Sequence, residues 1–137
     1  PLETKLRSSF SAEISRDQVF LTGRRDDVPN ILAATDIFIL PSLWEGMPNA
    51  LMEAMATGLP VVAFDVQGVP ELLGKTPGIQ CVAANDYEDF KVAIETLLSD
   101  SHLRSQLGIE NRDRIHDSFS LKAHIETHEL TYARILK

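Results

Sequence analysis

A single cysteine, Cys81, rules out any disulfide within this chain and any zinc site built from paired cysteines. It sits in the apolar run IQCVAA and reads as a reduced strand residue, not as a nucleophile or a metal ligand. No apolar run approaches the roughly 18 residues that a membrane span requires. The opening PLETKLRSSF lacks the apolar core of a secretory signal, so the expectation is a soluble, cytoplasmic domain. Positive charge is also scarce: 13 Lys and Arg stand against 20 Asp and Glu, a formal net charge of −7. That balance opposes docking on nucleic acid or on anionic lipid. There is no internal repeat, no low-complexity tract and no linker rich in Gly, Ser or Pro to divide the chain. With 44% hydrophobic and 24% charged residues over 137 positions, the chain suits one globular domain with an adequate core.

What is present is an alternation of short apolar runs with helical stretches. Val19 to Leu21, Ile37 to Leu40, Val61 to Phe64 and Ile79 to Ala83 are continuous apolar runs, the pattern of strands buried on both faces of a parallel sheet. Between them, Val28 to Thr35, Pro48 to Thr57 and a short turn from Pro70 to Leu73 read as helices, giving an α/β fold with right-handed crossovers around about four strands. From residue 86 onward the pattern is a helical tail. Asp86 caps a helix with Phe90, Ala93, Ile94, Leu97 and Leu98 on one face. A second helix runs from about Ser101 to His116, and Ser120 caps a third with Leu121, Ile125, His128, Tyr132 and Ile135 along one stripe.

The densest chemical signal is EGMPNALME, Glu45 to Glu53. Proline suits a first helical position, so a helix is expected to open at Pro48 with the N–H groups of Asn49, Ala50 and Leu51 unpartnered. Free amides and the positive end of the helix dipole favour an anion such as a phosphate. Gly46 lets backbone approach whatever binds. Glu53 lies four residues after Asn49, hence on the same face, in a helix otherwise made of small and apolar residues. A carboxylate accepts two hydrogen bonds side by side, which fits the vicinal hydroxyls of a ribose or hexose. Gly58 supplies the left-handed cap and Pro60 prevents the helix from resuming. The loop follows one strand-like run and precedes another, so it is placed at the carboxyl end of a strand, where open α/β sheets bind ligands.

The run DVPNILAATDIFILPSLWEGMPNALMEAMATGLPVVAFDVQGVPELL resembles the nucleotide-sugar-binding half of the retaining family 4 glycosyltransferases of GT-B fold. VFLTGRRDD upstream and the helical tail downstream also resemble that family. The resemblance implies a partial Rossmann-like domain over 1–137, with 86–137 as its tail, and a nucleoside-diphosphate sugar as donor substrate, with no cofactor and no required metal. It assigns Glu53 to the ribose hydroxyls and Glu45, as catalytic residue, to the neighbourhood of the transferred sugar or departing phosphate. The backbone of Gly46, Met47, Pro48, Asn49 and Ala50 would meet sugar hydroxyls and phosphate oxygens, and Gly68 and Arg24 complete the donor-binding set.

The family usually carries two glycines before its Pro-Glu pair, and here the first is Gln67, so a side chain occupies a place of unhindered backbone approach. Pro1 and Leu2 are similar to the tail of a glycine-rich turn that in the family follows two earlier strands. A truncated piece is therefore expected, inactive alone, lacking the Arg and Lys that neutralise the diphosphate as well as the acceptor-binding domain, through which any membrane contact would be made. An uncovered sheet edge would favour self-association.

Two other classes compete on the residues alone. A glycoside hydrolase would use Glu45 and Glu53 as a carboxylate pair about 5 to 10 Å apart. A receiver-like binding module would need a phospho-acceptor at a strand end, for which Asp65 is the candidate. His124 and His128 have the spacing of helical metal ligands, but HIETH is not HExxH and packing on the apolar stripe is the expected role. Trp44, beside Glu45, is expected to pack under the loop, with stacking on a sugar ring as the alternative.

Overall fold

The computed structural model describes residues 4–6, 18–74 and 78–136. The expected turn at Pro1 and Leu2 lies outside them. The elements run α1 (Val28–Ala33), β1 (Phe38–Leu40), α2 (Asn49–Thr57), β2 (Val61–Asp65), α3 (Val69–Leu73), a 3-10 turn (Gly78–Gln80), β3 (Cys81–Ala83), α4 (Tyr87–Ser99), α5 (Ser101–Phe119) and α6 (Leu121–Ile135). The sheet is parallel with order β1-β2-β3. Phe38 pairs with Val61 and Leu40 with Ala63, then Ala63 pairs with Cys81 and Asp65 with Ala83.

The central strand explains why its sequence does not alternate. Val61 and Ala63 face a core formed with Leu32, Leu51, Met55, Val69 and Leu72, from α1, α2 and α3. Val62 and Phe64 face the opposite core, with Val82 and with Phe90, Ala93 and Leu97 of α4. Both faces are covered, so every residue from Val61 to Phe64 is buried and must be apolar. Phe64 also meets the ring of Phe90 at 4.7 Å between centroids and that of Tyr87 edge-on at 5.4 Å.

Among the described residues three strands form instead of about four. Val19 to Leu21 has no ladder partner among the described residues, and Phe20 is exposed. An apolar run becomes a strand only where another strand lies beside it, and composition alone does not supply that neighbour. The third strand starts two residues later than its apolar run suggests, because Ile79 and Gln80 turn in the 3-10 segment.

The tail helices begin where their caps were legible. The Asp86 carboxylate accepts from the Asp89 N–H at 3.0 Å, and Ser120 Oγ accepts from the Ala123 N–H at 3.3 Å. Asp100 does the same for Leu103 at 2.9 Å, and its helix continues past His116 to Phe119.

Helix α5 passes from one core to the other. Leu103 and Leu107 pack on the α4 side, whereas Ile115 and Phe119 pack on the α2 and α3 side. At its midpoint it closes on the chain entering β2. A Cβ at Gly108 would lie 2.1 Å from the Gly58 carbonyl oxygen, so only glycine permits this approach. One turn on, Asn111 donates to the Leu59 carbonyl and to Gln80 Oε1, both at 2.8 Å, and Gln80 Oε1 accepts from the Val61 N–H at 3.1 Å. This lock holds the amino end of β2 and leaves the carboxyl ends of the strands to loops.

Candidate functional site

Two loops leave the carboxyl ends of β1 and β2, residues 41–48 and 66–68. They meet at glycines. Gly68 has a φ of 87°, and a Cβ there would lie 2.1 Å from the Gly46 carbonyl oxygen and 3.0 Å from Pro48 Cδ. Gly68 is therefore required by contact between the loops and by its left-handed backbone. Gly46 itself has open space where a side chain would project. The Glu71 carboxylate accepts from the Gly68 N–H at 3.0 Å and closes the start of α3.

Pro48 is buried and caps α2 from just outside it, one position earlier than the expected first helical residue, with ψ at 98°. Its carbonyl accepts from the N–H groups of both Leu51 and Met52 at 3.1 Å. Leu51 is thus satisfied, contrary to expectation, because a bifurcated bond tightens the first turn. Among the described residues, the N–H groups of Asn49 and Ala50 make no hydrogen bond. Both residues are exposed. That leaves two parallel donors at a helix start.

Glu45 is half-buried, and its carboxylate has no hydrogen-bond or ion-pair partner among the described residues. It does not cap backbone in its own loop. Glu53 is exposed, one turn beyond Asn49, and Met47 is half-exposed nearby in sequence. The small, apolar neighbours of Glu53 suggested a buried environment. Instead Leu51, Ala54 and Met55 turn to the core and leave Glu53 on the outward face. Trp44 is 84% exposed, so it does not pack under the loop. The chain turns outward after Pro41, leaving Leu43 and Trp44 beyond the edge of the core.

Arg24 is exposed and unpaired among the described residues. Its neighbour Arg25 forks onto Asp27 at 2.8 and 2.6 Å, and this guanidinium holds the Asp27 carboxyl below its ordinary range. Arg25 is thereby engaged and Arg24 is the one available for a ligand. Asp65 ends β2 exposed, at the tip of the strand.

Supporting residues on the helical tail were not named from the sequence, Gly108, Asn111 and Arg114 among them. Arg114 of α5 donates through Nε to the Leu72 carbonyl and through Nη2 to the Glu71 carbonyl at 2.9 Å, capping the far end of α3. Nothing in its local sequence marks it. Gln80 was not singled out either, although a polar residue inside an apolar run is the signal that could have found it.

The parallel sheet covered on both faces by helices is that of an α/β domain of doubly wound type, with free amides and acids at its strand tips. Residues 2–100 match the family described as glycosyl transferases group 1, and the chain belongs to that family. It is 34% identical over 97 residues, 70% of the chain, to the Escherichia coli UDP-Gal:alpha-D-GlcNAc-diphosphoundecaprenol alpha-1,3-galactosyltransferase, covering 22% of that relative. It is 31% identical over 123 residues to the N-acetyl-alpha-D-glucosaminyl L-malate synthase of Bacillus anthracis, which is 88% of the chain and 32% of the relative. Against the lipopolysaccharide core biosynthesis mannosyltransferase LpsB of Rhizobium meliloti it is 26% identical over 137 residues, 98% of the chain and 39% of the relative. The chain thus spans between about a fifth and two fifths of the length of these relatives. Among the described residues no helix is long and apolar enough to cross a membrane.

Proposed function

We propose that this chain supplies the donor-binding part of a glycosyltransferase that moves a hexose from a nucleoside-diphosphate sugar to an acceptor hydroxyl, with retention of configuration. The observation that carries the reading is the pair of unpartnered amides at Asn49 and Ala50, set between the unpaired acid Glu45 and the outward-facing Glu53. The amides and the helix dipole receive a phosphate oxygen, and Arg24 adds positive charge. Glu53 accepts from the vicinal hydroxyls of the ribose. Glu45 faces the transferred sugar or the departing phosphate, alongside the backbone of Gly46 and Met47. Donor amides already in place where charge grows on the leaving diphosphate lower the barrier without reorganising. In this reading no metal or cofactor is needed, the reaction takes place in the cytoplasm, and the acceptor is held by a further domain. The chain alone binds donor without transferring it.

The test is calorimetric titration of UDP, GDP and ADP into the chain, repeated with Glu53→Ala. Trp44 is the only tryptophan, so its fluorescence gives a second readout beside Glu45. Millimolar affinity for one nucleotide, weakened about tenfold or more by Glu53→Ala, is the expected outcome. Flat traces and unchanged fluorescence for all three at about 10 mM would overturn the reading.

A further inference from the structure

Helix α6 carries His124 and His128, for which packing on its apolar stripe was the expected role. None of its residues is buried, so His128 does not pack on a covered apolar stripe. His124 and His128 instead face each other one turn apart, with ring centroids 4.4 Å apart in an edge-on arrangement. Their Nε2 atoms lie 3.1 Å apart, and Tyr132 follows with its ring 6.1 Å from that of His128.

At that distance the two nitrogens share one proton when the pair is neutral: one Nε2–H donates and the other Nε2 accepts. A metal ion can replace the shared proton, because each imidazole then offers a lone pair toward the same point. With metal–nitrogen bonds of about 2.0–2.1 Å, the 3.1 Å separation gives an N–metal–N angle of roughly 95–100°. This lies between the octahedral and tetrahedral values, so no ring needs to move far. The i, i+4 spacing already holds both ligands, and little freedom is lost when the second one binds.

We propose that His124 and His128 form a two-histidine chelate for a divalent transition-metal ion, and that the bound ion holds α6 helical. Among the described residues no third His, Cys, Asp or Glu joins them, so water completes the coordination shell and the ion exchanges readily. Imidazole ligands select the later transition metals: copper binds most tightly, nickel and zinc less so, and magnesium or calcium not at all. A solvent-exposed helix of 15 residues is marginal by itself, and an ion that binds only the helical state raises its population.

The test titrates CuCl2, NiCl2, ZnCl2 and MgCl2 into the chain, with heat and far-UV circular dichroism as readouts. The expected result is one copper equivalent with increased helicity, affinity in the order copper over nickel and zinc, and no response to magnesium. His124→Gln or His128→Gln each weaken copper binding by roughly tenfold or more. The control His102→Gln/His116→Gln leaves it unchanged. No heat at about 100 µM Cu2+, or an affinity that follows His102 and His116 instead, would overturn the proposal. Both substituted positions are exposed, so loss of the fold does not confuse the result.

Discussion

The carbonyl oxygen of Gly46 lies where a side chain on Gly68 would begin, 2.1 Å from the position of its Cβ. The loop after β2 therefore sets the path of the loop after β1, and with it the start of α2. Gly68→Ala must both push these backbones apart and place alanine at a φ of 87°. The expected cost is about 2–4 kcal/mol, from overpacking together with left-handed strain. Urea unfolding measures it. On the proposed reading nucleotide affinity should fall as well, because the free amides at Asn49 and Ala50 shift with Pro48.

Asn111 is 3% exposed and Gln80 4% exposed, and together they satisfy the Leu59 carbonyl and the Val61 N–H. Asn111→Leu keeps the branching and number of heavy atoms but strands both the Leu59 oxygen and the Gln80 amide. A loss of about 2–4 kcal/mol follows from two buried groups left without partners. The double variant with Gln80→Leu should cost less than the sum of the single changes, since the Gln80–Asn111 pair is removed at once. A double-mutant cycle in urea checks the sign of that coupling.

The sheet was readable because β2 must be apolar on both faces, and the caps at Asp86 and Ser120 were readable because the donor lies three residues away in sequence. Long-range partnership was not. Val19 to Leu21 carries the same apolar signature as β2 yet pairs with no strand among the described residues. Trp44 and His128 looked like packing residues from their composition, but burial depends on which element arrives opposite them, and among the described residues none does. In the loop 45–50, the order of residues indicated free amides correctly at Asn49 and Ala50. It missed the bond at Leu51, since the difference between capping outside a helix and starting inside it is one peptide rotation at Pro48.

Cys81 is half-buried beside the exposed Asp65, and burial first, then the Asp65 charge, pushes its thiol up to about 11. The neutral thiol is thus favoured in the folded chain, relative to an ordinary value of 9.0. The contribution to stability is present below the unfolded value and is lost as pH rises through about 11. Alkylation by iodoacetamide at pH 8 should run about a hundredfold slower than for a free thiol, with the rate still rising past pH 9. Asp65→Asn should move the profile to lower pH. A rate that levels off by pH 9 would contradict the assignment.

Arg114 reaches from the helical tail to the carboxyl end of α3, and its guanidinium lies 5.8 Å over the Phe119 ring. A cation at that end completes the helix dipole while its fork satisfies the carbonyls of Glu71 and Leu72. Because α3 is capped by Gly68, the tail and the candidate site are joined through five residues of helix. Arg114→Ala should lower stability by about 2–3 kcal/mol, the range of charge-assisted bonds at a partly buried position. Arg114→Lys restores the charge but not the two-pronged geometry, so it should recover less than half of the loss. If Arg114 also positions the site, nucleotide affinity will fall in Arg114→Ala at temperatures where the variant is still fully folded. A variant that is destabilised but binds normally would confine the residue to holding the tail in place.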